Sequence, residues 1–244
     1  MNYVYSLIFI LLLALSSETF GADIIPKTCA EKQVLNWLMK WRGGMELPVS
    51  LPSLEEIEIQ SFENVYEGFG IKISYVTGDM KLRGVNNFSV RNLSVSPDYL
   101  RAAITLRFPL LTLISDTYTL NGRAYILYSL SGAGFMNVTF QNVEISAGII
   151  LVPKGVTTQV QDINLNLSIG NVKIKLANSS WPVNQVLSLR GMEIIEEYRS
   201  TFIAATKDLM KIELNKVLGN TTTGYIIRTI GNNLCNNNPV SSAG

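Results

Sequence analysis

Apolar residues recur at every second position through residues 100–153, and turn residues rather than charged clusters separate the runs. A period of two is typical of β-strands, because successive side chains point to opposite faces of a sheet. The pattern therefore predicts a meandering antiparallel sheet with one apolar face. In its first run the inward residues are Leu100, Ala102, Ile104, Leu106 and Phe108, and the outward residues are Arg101, Thr105 and Arg107.

Potential glycosylation sites assign the two faces of the later strands independently. The N-x-S/T motifs begin at Asn87, Asn92, Asn137, Asn166, Asn178 and Asn220. A glycan must face solvent, so Asn137 and Asn166 mark the solvent-exposed face of their strands. The inward residues are then Met136, Val138, Phe140, Ile163, Leu165, Leu167 and Ile169, and beyond Gly170-Asn171 they are Val172, Ile174 and Leu176.

Two segments have helical periodicity instead. Thr28 and Glu31 have the spacing of a capping box, and Gly43-Gly44 follows as a helix stop, which together predict a short N-terminal helix. An apolar stripe through residues 191–218 predicts one long amphipathic helix. We expect this second helix to cover the apolar face of the sheet.

The N-terminal residues are typical of a secretory signal peptide, which we assign to residues 1–21. Their apolar run, residues 7–15, is too short to span a bilayer, and small residues precede Ala22. The alternative is an N-terminal anchor helix. We expect residues 22–235 to form a single domain and residues 236–244 to form a polar tail, since one sizeable core accounts for this length.

The composition excludes several classes of function. A net charge of +1 with 16% charged residues gives no basic footprint for nucleic acid. The chain has no histidine, which removes Ser-His and Cys-His catalysis and most zinc sites. We therefore expect no enzymatic activity, no metal and no cofactor, and no later segment is apolar enough for stable insertion into a membrane.

The cysteines are better interpreted as structural than as reactive. An even pair in an oxidising compartment usually forms a disulfide, and Cys29 with Cys235 would join the start of the mature chain to its end. The alternative is two free or intermolecular thiols. Glu55, Glu56 and Glu58 alternate with apolar residues and indicate a solvated strand edge rather than an acid–base pair.

Several predicted inward positions carry small or flexible side chains: Ala102, Gly122, Ala124, Gly132, Gly134 and Met136. Small residues that face a helix can leave room for an apolar guest. Large residues elsewhere can equally fill the same volume. The hydrophobic pattern leaves both possibilities open.

Several segments, taken in order, resemble the insect juvenile-hormone-binding and takeout family. MELPVSLPSLEEIEI resembles the family's segment after the first helix, and MKLRGVNNFSVRNLSV resembles its glycine-containing strand. In residues 108–145, a P…Y…G…G-x-G order is formed by Pro109, Tyr118, Gly122, Gly132 and Gly134. Residues 181–215 resemble its long C-terminal helix. The family's close pair of cysteines near the first helix is absent, since only Cys29 lies there.

The resemblance implies an α+β domain in which a strongly curved antiparallel sheet wraps one long C-terminal helix, with a short N-terminal helix, as in half of a tubular lipid-binding fold. It also implies a secreted carrier that holds a terpenoid, fatty acid or related lipid in a tunnel between sheet and helix. The ligand-binding residues that we expect are Trp37, Trp41, Ile104, Leu106, Phe108, Tyr118, Met136, Val138, Phe140, Tyr198 and Phe202.

Two other functions stay open at this point. One is a secreted structural or interaction glycoprotein of the same fold with a filled core, which the dense N-x-S/T motifs favour. The other is a membrane-surface lipid sensor, for which the low content of charged residues gives little support. Aromatic residues at helical spacing, such as Trp37 and Trp41, are also more often ordinary core residues than ligand contacts.

Overall fold

The eight described strands form one antiparallel sheet in a computed structural model of the chain, which describes residues 24–45, 53–125, 127–219, 222 and 224. The strands are β1 (Glu56–Ile59), β2 (Phe62–Gly68), β3 (Ile71–Thr77), β4 (Met80–Arg83), β5 (Ser89–Val95), β6 (Arg101–Ala124), β7 (Tyr128–Lys154) and β8 (Thr157–Leu176). The helices are α1 (Cys29–Arg42) and α2 (Val183–Gly219). The predicted fold class, an antiparallel sheet with a short N-terminal and a long C-terminal helix, is confirmed.

The long strand β6 organises the sheet. One of its edges pairs with β7 from Arg101 to Ala124. Its other edge pairs in turn with β5, β4 and β3, so three short strands share one long partner. β7 then pairs with β8 on its far side. The stretch of alternating residues 100–153 forms antiparallel strands, as predicted, and these strands lie in the middle of the sheet.

Three adjacent strands exchange their inward and outward positions at the same level. Pro109-Leu110, Gln141-Asn142 and Gly170-Asn171 each place two outward or half-buried residues between inward ones. Phe108 pairs with Val143 and Leu110 with Gln141, so the register is continuous across the interruption. Asn142 has a φ of 50°, the left-handed conformation that asparagine tolerates. The sequence predicted this change of face only in β8.

The helix α1 begins as predicted. Glu31 N donates to Thr28 Oγ1 at 3.1 Å, and Thr28 N donates to Glu31 Oε2 at 3.1 Å, which completes the capping box. The helix closes one end of the sheet, where Trp41 joins the same buried cluster as Phe88 and Phe108. Trp41 is therefore a core residue.

The helix α2 begins at Val183, earlier than the predicted start at Gly191. Val183 and Leu187 are buried and continue the apolar face toward the N-terminus. Gly191 concealed this continuity, because glycine weakens a helical pattern. Glycine fits this position because the helix lies close to β8 there: an added Cβ would lie 2.5 Å from Val172 Cγ1.

The predicted cysteine and glycan sites are only partly within the described structure. Cys29 is disulfide-bonded, whereas Cys235 lies outside the described residues, so the pairing of the two stays a prediction. Asn92, Asn166 and Asn178 are exposed, and Asn87 and Asn137 are half-buried. Asn220 lies outside the described residues. Their glycosylation also stays a prediction.

Candidate functional site: a cavity between the sheet and the long helix

A cavity of about 720 Å³ lies between the sheet and the middle of α2. Ten residues of β4, β6, β7 and β8 form its apolar floor: Met80, Leu82, Leu111, Leu113, Phe140, Val143, Ile145, Leu165, Leu167 and Ile169. Ile59 and Phe62 extend this lining toward β1 and β2. The floor crosses the level at which β6, β7 and β8 change face, so the cavity lies where the sheet is irregular.

Hydrogen bonds attach both ends of α2 to β8. Near the start of the helix, the Asn184 side chain accepts from Leu176 N at 2.7 Å and donates to Leu176 O at 3.1 Å. Ser188 makes the same pair of bonds with Ile174 at 3.2 and 3.1 Å. These side chains satisfy backbone groups on the free edge of β8, which would otherwise be open to another strand.

The other end of the helix is held in the same way. Asn215 Oδ1 accepts from Val160 N at 2.7 Å, and Lys211 Nζ donates to Gln161 O at 2.9 Å. Met210 is buried against Val160 there. Between the two attachments, the helix spans the cavity and contributes its roof.

The roof consists of Ile195, Tyr198 and Arg199. The ring of Tyr198 lies 6.0 Å from that of Tyr66, centroid to centroid. The hydroxyl of Tyr66 donates to Glu197 Oε2 at 3.2 Å. Burial of the phenol, together with the adjacent Glu197 carboxylate, raises the pKa of Tyr66 to about 12. Tyr66 therefore connects strand β2 to the roof as a neutral hydrogen-bond donor.

Among the described residues, four polar side chains contribute to the cavity wall: Gln60, Glu63, Tyr198 and Arg199. Gln60 comes from the connection between β1 and β2, and Glu63 comes from β2 itself. All other lining residues are aliphatic, aromatic or methionine. Such a wall favours an apolar molecule of modest size, because pockets of 300–1,000 Å³, on the order of this one, enclose drug-sized ligands.

The structure places two of the predicted ligand-binding residues, Phe140 and Tyr198, in the cavity wall. Trp41, Leu106 and Phe108 are buried in the core beneath α1, and Ile104 packs against it. Tyr118 and Met136 are buried in a second core cluster, on which Val138 packs. Trp37 is half-buried on α1, outside the wall. Phe202 belongs to α2, and its side chain lies outside the described residues.

The cavity residues that the prediction omitted are mainly aliphatic ones. Leu165, Leu167 and Ile169 were assigned inward but not to the ligand site, although their alternation was the signal available. Arg199 carried no such signal, because a charged residue on an amphipathic helix usually faces solvent.

The small residues do not create the cavity, contrary to the possibility raised from the sequence. A Cβ on Gly122 would lie 2.7 Å from Ile73 Cα, and one on Gly132 would lie 3.0 Å from Ser179 Cα. Ala124 is fully buried, and Ala102 is exposed near the start of β6. These residues allow neighbouring segments to approach closely, whereas the cavity itself is lined by large side chains.

A second, smaller depression of about 350 Å³ lies on the outer face of the sheet. Ala103 and Gly148 form part of its base, and Arg101 and Asp162 flank it with opposite charges. Because its volume is about 350 Å³ rather than about 720 Å³, it offers less burial to an apolar molecule than the cavity under α2.

Two further observations concern the part of the chain that the structure describes. No helix there is long and apolar enough to cross a membrane. No three or more histidine, cysteine or acidic residues there converge as a metal site would require.

Comparison with known proteins points to one family. The family model described as haemolymph juvenile hormone binding protein matches residues 11–228. The crystal structure of Epiphyas postvittana Takeout 1 matches with a TM-score of 0.50 and 14% identity, over 68% of this chain and 81% of that chain.

A second solved structure, of lipopolysaccharide binding protein, matches with a TM-score of 0.40 and 13% identity, over 78% of this chain and 37% of that chain. None of the curated proteins compared with the chain matches it in sequence. At these identities, the match to Takeout 1 concerns the fold alone.

Proposed function

Because this chain belongs to the haemolymph juvenile hormone binding protein family, we propose that it is a secreted, non-enzymatic carrier of a small hydrophobic ligand. The ligand is a terpenoid, a fatty acid or a related lipid, and it occupies the cavity between the sheet and α2. The observation that carries the proposal is the continuous apolar floor of ten residues beneath a helix whose two ends are hydrogen-bonded to β8.

The driving force is the removal of apolar surface from water. A ligand that buries about 300 Å² of apolar surface gains roughly 7 kcal/mol at 25 cal/mol per Å². Loss of translational and rotational freedom opposes this gain by at least about 4 kcal/mol. A ligand that fills most of the cavity is therefore required for useful affinity, which agrees with a lipid rather than a small volatile solute.

Secretion is part of the same proposal. It is supported by the signal-like pattern of residues 1–21 and by the exposure of Asn92, Asn166 and Asn178. Expression of the whole chain in insect cells tests it, because the processed protein should appear in the medium without those first residues and with glycans at the exposed asparagines.

Native mass spectrometry of that secreted protein, after enzymatic removal of glycans, tests the carrier function. We expect one apolar molecule per chain, released into organic solvent and identified by chromatography. Delipidated protein should take up a fluorescent apolar probe, N-phenyl-1-naphthylamine, with one-to-one stoichiometry. Protein that is repeatedly empty and does not take up the probe would contradict the proposal and favour a structural glycoprotein with no lipid cargo.

A further inference from the structure

Five large apolar side chains lie together at one end of the molecule, where β2 turns into β3, β6 turns into β7, and β8 leads to α2. They are Phe69, Tyr125, Leu127, Tyr128 and Trp181, and we call this set the apolar tip. Leu127 is 83% exposed and Trp181 is 77% exposed. Contiguous apolar groups with this much exposure are typical of interaction sites.

Contacts between the three segments hold the apolar tip together. Tyr125 N donates to Gly70 O at 2.7 Å, which joins the β6–β7 turn to the β2–β3 turn. The ring of Tyr125 packs on the same glycine, where an added Cβ would lie 2.9 Å from Cδ1. The ring of Tyr128 lies 6.5 Å from that of Trp181, centroid to centroid. The tip is therefore one surface rather than three separate exposed turns.

The charged groups next to the apolar tip are positive on balance. Residues 67–72, 123–131 and 177–193 carry three cations and two carboxylates: Lys72, Arg123, Arg190, Glu67 and Glu193. Arg190 Nε donates to the hydroxyl of Tyr125 at 3.3 Å. Lys72 lies opposite Arg123 in the sheet, two residues behind the turns. Glu67 pairs with Lys72, and Glu193 pairs with Arg190. One net positive charge therefore accompanies the exposed rings.

The shape and chemistry of the apolar tip favour a lipid bilayer over a protein as its partner. Side chains as exposed as Leu127 and Trp181 protrude, and a protein would need a matching pocket for each, because the centre of a protein interface is packed as densely as an interior. A fluid bilayer accommodates protruding side chains without such pockets. Tryptophan and tyrosine rings beside lysine and arginine are the groups that settle at the level of lipid headgroups.

We propose that the apolar tip docks this protein on the surface of phospholipid bilayers that contain anionic lipids. The apolar side chains enter the headgroup region, and Lys72, Arg123 and Arg190 lie at the level of the phosphates. The inference goes beyond the proposed carrier function and does not depend on it, because no residue of the tip lines the cavity.

Flotation of the secreted protein with vesicles tests the docking. We use phosphatidylcholine vesicles and vesicles with about one fifth phosphatidylglycerol, because anionic lipid attracts basic groups at a surface. We expect binding to both, and about fivefold tighter binding to the mixed vesicles at low salt, the ratio that one net positive charge gives.

The protein is measured with its glycans intact. Asn178, an exposed N-x-S/T position, lies in the same connection as Trp181. A glycan there that covered the tip would abolish flotation, and that result would contradict the proposal.

Leu127→Ser should weaken binding to the mixed vesicles by about tenfold, because it removes an apolar side chain from the contact with lipid. Val156→Ser is the matched control, since Val156 is 77% exposed in the turn at the other end of β7. This variant should float like wild type. Both variants should keep the wild-type melting temperature, because each replaces an exposed side chain.

Trp181 gives a second measurement that does not depend on a loss of binding. Brominated phosphatidylcholine in the mixed vesicles should quench the tryptophan fluorescence of wild type. Trp181→Phe should float nearly like wild type but lose most of the quenching. The remaining tryptophans, Trp37 and Trp41, belong to α1, which packs at the opposite end of β6.

Three results would overturn the proposal: no flotation of wild type, equal loss of flotation in Leu127→Ser and Val156→Ser, or quenching that persists in Trp181→Phe. A dimer that Leu127→Ser disrupts, without vesicle binding by wild type, would assign the tip to a second copy of this chain instead. Delipidated Leu127→Ser should take up N-phenyl-1-naphthylamine like wild type, so a failure of docking and a failure of the carrier function are distinguishable.

Discussion

The side-chain amide of Asn184 accepts from Leu176 N at 2.7 Å and donates to Leu176 O at 3.1 Å, at the free edge of β8. The same two atoms would pair with another strand if the helix were absent. The start of α2 therefore takes the place of a neighbouring strand. This arrangement lets the middle of the helix stand above the cavity while its end stays attached.

Asn184→Ala should destabilise the protein by about 1–3 kcal/mol, because it leaves the Leu176 N–H without its partner at a partly buried site, whereas Leu176 O still accepts from Ser179 Oγ. Urea denaturation followed by tryptophan fluorescence measures the change. Asn171→Ala is the control, since its amide bonds only the exposed Gln141 side chain and should change stability by less than about 0.5 kcal/mol. Equal effects would argue against a special role for the helix attachment.

Gly191→Ala should push α2 away from β8. The new Cβ would lie 2.5 Å from Val172 Cγ1, and such overpacking costs about 1–3 kcal/mol. The double variant with Val172→Ala should recover part of the loss, which a double-mutant cycle detects.

The control for this substitution is Gly219→Ala at the end of the same helix, where no atom lies within 4 Å of the added Cβ. It should leave the melting temperature unchanged or raise it, since alanine favours helix over glycine. A wild-type melting temperature for Gly191→Ala would show that the helix is not closely held at that point.

Leu167→Trp should fill part of the cavity and lower the affinity for N-phenyl-1-naphthylamine by about tenfold or more, equivalent to about 1.4 kcal/mol. Leu110→Trp introduces the same side chain on the opposite face, where the leucine is already 43% exposed, and should bind the probe like wild type. Fluorescence titration compares the two. Loss of binding in both variants would indicate damage to the fold rather than to the site.

The stability of the protein should fall at alkaline pH through Tyr66. Its pKa is raised in the folded state from about 10 to about 12, so the neutral phenol stabilises the fold at pH values below 10. That contribution is lost as the pH rises from about 10 toward about 12. Tyr66→Phe should therefore be less pH-sensitive than wild type in this interval, and denaturation at a series of pH values measures the difference.

Local sequence signals predicted the elements and most faces of the sheet. Thr28 and Glu31 predicted the start of α1 because a capping box involves only four consecutive residues. Gly170-Asn171 predicted the change of face in β8 because both flanking runs alternate clearly. The equivalent changes at Pro109 and Asn142 were missed, since apolar Leu110 continues the hydrophobic run of β6.

The position of the cavity depends on contacts between distant parts of the chain. The alternating pattern predicts that Met136 and Phe140 both point inward, but of the two only Phe140 lies where the helix leaves a gap. This gap lies between the attachments of Asn184 and Asn215 to opposite ends of β8. No period in the sequence indicates which inward residues a helix will cover, so most of the predicted ligand residues fall within the filled core.

The aligned pairs Pro109-Leu110, Gln141-Asn142 and Gly170-Asn171 have a consequence for how this sequence can vary. Deletion of one residue from a single pair would move the inward side chains of the rest of that strand to the outer face, while its neighbours stayed unchanged. Loss of one residue from all three pairs would again give the three strands the same inward face. The numbers of residues at these three positions are therefore coupled to one another. Among related sequences, we expect insertions and deletions here to occur in all three strands together or not at all.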